Sequence, residues 1–328
     1  MIGRSKSSVS SGLQTSFGMA ILAVGFLATL GTVLAFFGGA WWAFDVIANF
    51  RLQLALVLLV CGVLYGALFG RGGAVLFIGA AVLNAALVVP MWLSSQPAVA
   101  SEDRLQIVTL DVTTSLGTRS PVIGWISTVD ADLIFLQQTT PAWIESIREA
   151  DTGYTVIAEP PQSGQSGTIA LAKVPYETRV YPVLPGTDPI VEVSADLAGR
   201  PVTVLSMRAD TPSGENDAQL RDELFQAAGE LVASRAEAVV VVGDLNVTRW
   251  SHAFRTLTGA GSLNNSEDGF GYQATWPAND WPLAGDYAGL PLDHALTTTA
   301  LTTVGRSIGP AVGSDHLPLI VDIAPAAG

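Results

Sequence analysis

Charge is scarce in this sequence, and the scarcity is local. Asp, Glu, Lys and Arg make up 14% of the 328 residues, where a soluble domain carries roughly a quarter. Between Ser8 and Ser94 the only charged residues are Asp45, Arg51 and Arg71. Cysteine is almost missing. Cys61 stands alone, so the chain has no internal disulfide, and nothing beyond the apolar N-terminal part can do thiol chemistry. Positive charge is short as well, with 16 basic residues against 29 acidic ones and a net charge of −13. Internal repeats are absent, which excludes a solenoid.

The uncharged stretch holds three apolar runs, residues 17–37, 52–69 and 74–93. Each is long enough to cross a hydrocarbon core of ~30 Å at ~1.5 Å per helical residue. A signal peptide has a shorter apolar segment and is not followed by two more. A buried helix of a soluble bundle keeps a polar stripe, and these runs show none. Trp41, Trp42 and Trp92 fall at run ends, where amphipathic rings favour the headgroup level. The first expected partner is therefore a lipid bilayer. Apart from Gln53 and Asn84 the runs hold almost nothing strongly polar, which argues against a transporter or channel. Arg4, Lys6 and Arg71 fall on one side of the spans, while Arg51 on the other side is opposed by Asp45. Positive charge stays inside, so three spans put the remainder of the chain on the outer, extracytoplasmic side.

Residues 1–94 thus read as a tail and three transmembrane helices, 95–103 as a small, polar linker, and 104–328 as one outer domain. The first 99 residues hold four basic residues and one acid, leaving 12 basic against 28 acidic beyond them. Such a surface repels polyanions, so duplex nucleic acid is disfavoured as a partner.

Within the outer domain, segments 105–110, 133–136, 155–158, 168–172, 202–206 and 239–242 are dense in Val, Ile and Leu. They read as strands buried on both faces. Segments 121–128, 141–150 and 217–234 read as helices, the last with Asp217 at its N-cap. Strand–helix alternation predicts an α/β domain with helices packed outside the sheets.

Three short segments can carry chemistry. An all-valine strand runs into Gly243 and delivers Asp244 and Asn246 at its C-terminal end (VVVVGDLN), where α/β sheets place ligand-handling groups. PLDHAL sets Asp293 beside His294, and GSDHLP sets Ser314, Asp315 and His316 together. Two of the chain's three histidines thus follow an Asp directly, and carboxylate–imidazole partnering orients a base or holds a divalent metal. The third, His252, reads as capping or covering the helix after GDLN. Trp276 and Trp281, in a long loop, read as packing residues that can line a groove.

The order GDLN, LDH, SDHLP, with WS after the first motif and ATWP before the second, resembles the endonuclease/exonuclease/phosphatase family. The likeness runs over about residues 103–324, and the flanking text resembles bacterial members that carry transmembrane helices ahead of the domain. It implies a four-layer α/β sandwich, two β-sheets flanked by helices. It also implies water attack on a phosphate ester with one Mg2+ or Mn2+. Asp244 would align or deprotonate the water beside Asn246. His316, oriented by Asp293, would contact the scissile phosphate. Asp315 would lie at the metal edge, and His294 would be a secondary polar contact.

Three positions depart from the family pattern. Asp111 stands where an Asn is usual, Gln138 where the metal-ligating Glu of LQE is usual, and Arg208 where a His is usual. The expectation is a charge-conserving swap, with Asp111 and Gln138 holding the metal and Arg208 clamping phosphate. The function expected is a membrane-anchored, divalent-metal-dependent hydrolase of small or lipid-linked phosphate esters. The alternative is a catalytically silent domain of the same fold that binds a phosphate ligand or a protein.

Overall fold

The computed structural model describes residues 5–94, 103–112, 119–159, 166–278 and 285–326. Most of the expected linker, and Trp281, lie outside them. The chain divides into two compact units, Met1–Pro90 and Met91–Gly328.

The first unit contains α1 (Ser5–Leu34), α2 (Trp42–Ala48), α3 (Arg51–Phe69) and α4 (Arg71–Val88). A short α5 (Pro90–Leu93) follows. Three stretches are long and apolar enough to cross a membrane: Thr15–Phe37, Arg51–Phe69 and Arg71–Val88. The third starts at Arg71, earlier than its apolar run, and ends at Val88, ahead of Pro90, which has no N–H to continue the helix. Phe26, Leu27, Val63, Val75 and Val82 face outward and exposed, which suits lipid rather than water. Ile21, Ala28, Leu58, Cys61, Phe77 and Ala81 pack inside.

Arg51, counted above as a loop charge, is buried. Its Nη1 donates to the Thr32 carbonyl at 3.1 Å and to Asn84 Oδ1 at 3.2 Å, while Asn84 Nδ2 donates to Thr32 Oγ1 at 2.8 Å. The pattern makes Asn84 a helix-joining group rather than a pathway residue, because each of its polar atoms is spent on a neighbouring helix.

The second unit is a sandwich of two mixed six-stranded sheets, ordered β11-β12-β1-β2-β4-β3 and β5-β6-β7-β8-β10-β9. The first holds β1 (Leu105–Asp111), β2 (Leu133–Thr139), β3 (Thr155–Ala158), β4 (Gly167–Ala172), β11 (Leu301–Ile308) and β12 (Leu319–Pro325). The second holds β5 (Glu177–Tyr181), β6 (Ile190–Leu197), β7 (Arg200–Ser206), β8 (Ala238–Asp244), β9 (Asn264–Asn265) and β10 (Asp293–Thr297). Each sheet has one parallel pair, β1–β2 and β7–β8. Their crossovers carry α6 (Arg119–Ile126) and α8 (Glu215–Ala233), and α7 (Pro141–Glu149) and α9 (His252–Gly261) complete the outer layers.

Strand alternation builds the layers. Ile107, Phe135, Val204, Val240, Val242 and Ala295 fill the space between the sheets. Val108, Leu110 and Ile134 face out toward Val122, Ile126 and Trp143 of α6 and α7. Val239 and Val241 face Phe225, Phe254 and Leu257 of α8 and α9. Strands β5, β6, β9, β10, β11 and β12 are not foreseen in the sequence reading. Segments such as ETRVY and LTTVGRSI mix polar and apolar residues, and pairing with a neighbour makes them strands.

Two cap assignments shift. Helix α8 starts at Glu215 with Gly214 at its N-cap, and Asp217 instead reaches back to accept the Ser213 backbone N–H at 3.0 Å and the Ser213 hydroxyl. Helix α9 is capped by Ser251, whose side chain accepts the Phe254 N–H, and His252 is its exposed first residue.

Candidate active site

Alternation also decides which polar residues meet. In β1, β8 and β10 the side chains of Asp111, Asp244 and Asp293 share parity with Ile107, Val242 and Ala295, so they continue the inter-sheet face where the apolar filling ends. Register sets Asp244 directly opposite Asp293. Arg208 continues β7 with the same parity as Val204. The site is therefore the polar rim of the central core, at one end of both sheets.

Two backbone features aim it. Gly243 has φ +140°, and a Cβ there would lie 1.9 Å from the Met207 carbonyl oxygen, so only glycine lets the chain past Met207 run this close to β8. Gln138 and Asn246 hold positive φ of 57° and 52°, a conformation that non-glycine residues adopt rarely. Gln138 lies at a register shift between Leu136 and Thr139, which turns its side chain toward Asp111.

Asp293 Oδ2 takes the His316 Nδ1–H at 2.8 Å, leaving Nε2 4.0 Å from Asp244 Oδ2. Asp244 accepts from its own turn, from Asn246 backbone N–H at 2.9 Å and Asn246 Nδ2 at 2.7 Å. Thr211 Oγ1 donates to Asn246 Oδ1 at 2.7 Å and steadies it. Ser314 donates to the Asp111 carbonyl at 2.6 Å and accepts the His316 N–H at 3.1 Å, tying the SDH turn to β1. Asp244, Asp293 and His316 are all buried.

Burial opposes a charge on His316, but the carboxylates of Asp293 and Asp244 outweigh it and lift its pKa to about 10. Burial raises Asp244 well above its ordinary value, with Asp293 and Asp111 adding to the rise and His316 opposing it. His316 titrates above its ordinary 6.5. Its imidazolium therefore contributes stability fully present below that value and lost as pH climbs toward 10. In chelator, the wild-type melting temperature should fall between about pH 7 and 10 relative to His316→Gln. Parallel melting profiles for the two proteins would rule out a charged, carboxylate-held His316.

The remaining expected site residues lie elsewhere. His294, one residue from Asp293, points to the other side of β10. Its Nε2–H donates to the Val247 carbonyl at 2.7 Å and its ring packs on Phe254. Asp315 is exposed and accepts from Trp276 Nε1 at 3.3 Å. Arg208 Nε donates to Asp111 Oδ2 at 2.8 Å, and Gln138 Nε2 donates to the same oxygen at 2.8 Å. Arg208 Nη1 pairs with Asp210 and faces Asp188 Oδ2 at 3.8 Å. Sequence reading missed Asp188 and Asp210, and nothing in the surrounding residues signals them.

The donor set for a divalent ion divides accordingly. Among the described residues, Asp244, Asp293 and His316 each offer a ligand atom within 4.8 Å of the others, close enough to hold an ion. Asp293 Oδ1 is buried without a hydrogen-bond partner, a second sign that this group has room for a cation. The pair expected to hold the metal does not fit one as it stands. Asp111 Oδ2 already takes two N–H groups, one from a guanidinium, and Gln138 turns its nitrogen rather than its oxygen inward.

The sandwich and this rim match known proteins. The sequence profile described as Endonuclease/Exonuclease/phosphatase family covers residues 100–316. The chain belongs to that family. Members are phosphoesterases or nucleases that generally use divalent metals, so membership supports a phosphoester hydrolase. Solved structures share the fold. A humanised zebrafish (D. rerio) TDP2 is 18% identical, with TM-score 0.54, and covers 67% of this chain and 98% of its own. An Endonuclease/Exonuclease/phosphatase family protein from Bacteroides thetaiotaomicron is 16% identical, with TM-score 0.52 and coverages of 68% and 98%. A mannosyl-6-phosphatase from the same bacterium is 15% identical, with TM-score 0.50 and coverages of 67% and 99%. No curated protein sequence matches the chain.

Proposed function

We propose that this chain is a membrane-anchored phosphoester hydrolase in which water attacks phosphorus in line, without a covalent intermediate. The observation that carries the reading is the buried Asp293–His316–Asp244 chain with Asn246 beside it. Asp244, its proton affinity raised by burial, takes the proton of the water, and Asn246 holds that carboxylate in place. Asp293 fixes the His316 ring so that Nε2 faces the reacting space. Arg208 and His316 supply positive charge for the phosphate oxygens.

One magnesium or manganese ion is the proposed cofactor, held by Asp244, Asp293 and His316. When bound it supplies counter-charge and lowers the pKa of a coordinated water. His316 Nε2 would help hold the ion when it is bound and would be a protonated donor to phosphate without it, and a chelator separates the two roles.

The three apolar helices are proposed as the anchor, with the hydrolase domain extracytoplasmic. The excess of Arg4, Lys6 and Arg71 on one side, against Arg51 opposed by Asp45 on the other, supports this orientation. The acidic surface favours small or lipid-linked phosphate esters over duplex nucleic acid. Likeness to solved structures does not choose between substrate classes, since one neighbour is a mannosyl-6-phosphatase and another, a zebrafish TDP2, was solved with a single-strand DNA product. The second reading, a silent domain that binds phosphate or a protein, is favoured by one observation: the Arg208 guanidinium on Asp111.

The test is hydrolysis of a phosphomonoester and phosphodiester panel by the full chain in detergent micelles, with Mg2+, with Mn2+ and with EDTA. Metal-stimulated turnover is expected. A folded protein with no turnover on any substrate would move the assignment to the silent domain.

A further inference from the structure

The charge at the Asp111–Gln138 position is already balanced from within the chain. Asp111 is fully buried, and a buried carboxylate needs a cation or several donors. It has both, because Arg208 Nε and Gln138 Nε2 converge on one oxygen, each at 2.8 Å. Both lone pairs of that oxygen are taken, so a divalent ion cannot bind through Oδ2 while Arg208 and Gln138 stay in place. Arg208 is itself held from three sides, by Asp111, by Asp210 and by Asp188 at 3.8 Å. Its side chain is 13% exposed, so swinging out to admit a metal would break three ion pairs. Nη2 is the one nitrogen of the guanidinium without a hydrogen bond among the described residues. The three substitutions are thus one unit, joined through Arg208 rather than through a metal. The Asp supplies the anion, the Arg supplies the cation, and the Gln supplies a donor where a Glu would have repelled Asp111.

We propose that Arg208 is the resident cation at the Asp111–Gln138 position, closing it to divalent metal and presenting Nη2 to the substrate phosphate. Burial weighs against the guanidinium's charge, yet Asp111 and Asp244 hold its pKa above the ordinary value, so it stays charged at every working pH. A planar guanidinium suits phosphate oxygens. Any ion the protein uses then belongs to Asp244, Asp293 and His316 and owes nothing to Asp111. The phosphate part rests on the phosphoester reading above; the exclusion of metal from Asp111 does not.

The test uses the full chain in detergent micelles and Mn2+ as the probe, with bound ion counted by electron paramagnetic resonance. Asp111→Asn is expected to leave Mn2+ affinity within about twofold of wild type. Arg208→Ala is expected to gain a Mn2+ site, and adding Asp111→Asn is expected to abolish it. Arg208→Gln keeps a donor to Asp111 while removing the charge, so it gives the same gain if the alanine protein fails to fold. A tenfold loss of Mn2+ affinity in Asp111→Asn would overturn the proposal, because Asp111 would then be a ligand in the native protein. So would the absence of any new site in folded Arg208→Gln. In a parallel arm with EDTA, wild type is expected to bind inorganic phosphate at least tenfold more tightly than Arg208→Gln. Equal binding would remove the phosphate role. Because the Mn2+ arm needs no turnover, inactivity on every ester would sink the hydrolase reading without touching the metal exclusion.

Discussion

Asp244→Asn is expected to lower phosphoester turnover by roughly 10²–10⁴-fold, the range that removal of a general base produces, while leaving the melting temperature at pH 7 unchanged or higher. The two halves of the result come from one fact. Asp244 is fully buried, and burial is the first cause of its raised pKa, so the folded protein resists its charge. Asn has nearly the shape of a protonated Asp and carries no charge, so relief of the buried charge offsets the lost hydrogen bond from Asn246 and the lost attraction to His316. The reaction loses the group that accepts the water's proton. Kinetics and a thermal melt on the same preparation check both. Turnover within threefold of wild type would remove Asp244 from the chemistry, and a large drop in melting temperature would make it a structural residue.

Gly243→Ala is expected to destroy the second unit rather than its activity alone. The added Cβ would meet the Met207 carbonyl oxygen at 1.9 Å and the Met207 carbonyl carbon at 3.0 Å, and φ at this residue is +140°. Neither neighbour can yield, since the backbone of Met207 is bonded to the Val242 carbonyl and that of Ala209 to the Asp244 carbonyl, each at 3.0 Å. A backbone clash inside a paired region costs on the order of 4 kcal/mol or more, a large share of the stability of a typical domain. The expected outcome is failure to recover folded protein, read by circular dichroism and the absence of a cooperative melt. A variant that melts within a few degrees of wild type would mean that the strand and the Met207 segment can separate. Asp244 follows this glycine directly, so the close approach also brings the segment carrying Arg208 beside the Asp244 carboxylate.

The sequence by itself determined more here than is usual, for a physical reason in each case. Three apolar runs nearly free of charge are each of spanning length, and the structure forms three helices there that are long and apolar enough to cross a membrane. Dense Val/Ile/Leu segments at 105–110, 133–136 and 239–242 have to be covered on both faces, which demands a layered α/β arrangement. GDLN, LDH and SDHLP lie at strand ends and turns, and their order alone places Asp244, Asp293 and His316 in one family pattern.

Only the tertiary structure decided who touches whom. Asp293 and His294 are neighbours in the chain, yet pleating sends one to the inter-sheet rim and the other into the outer core beside Phe254. Strands such as ETRVY exist because a partner strand takes up their backbone groups, and that partner is distant in sequence. The same distance hid the state of the metal position. Asp111 and Arg208 lie 97 residues apart, and their charges cancel through space in a way that no reading of separate motifs can reveal. Charge conservation between Asp111 and Gln138 was legible as arithmetic. That the balancing cation is a guanidinium from β7's extension follows only from how the two sheets meet.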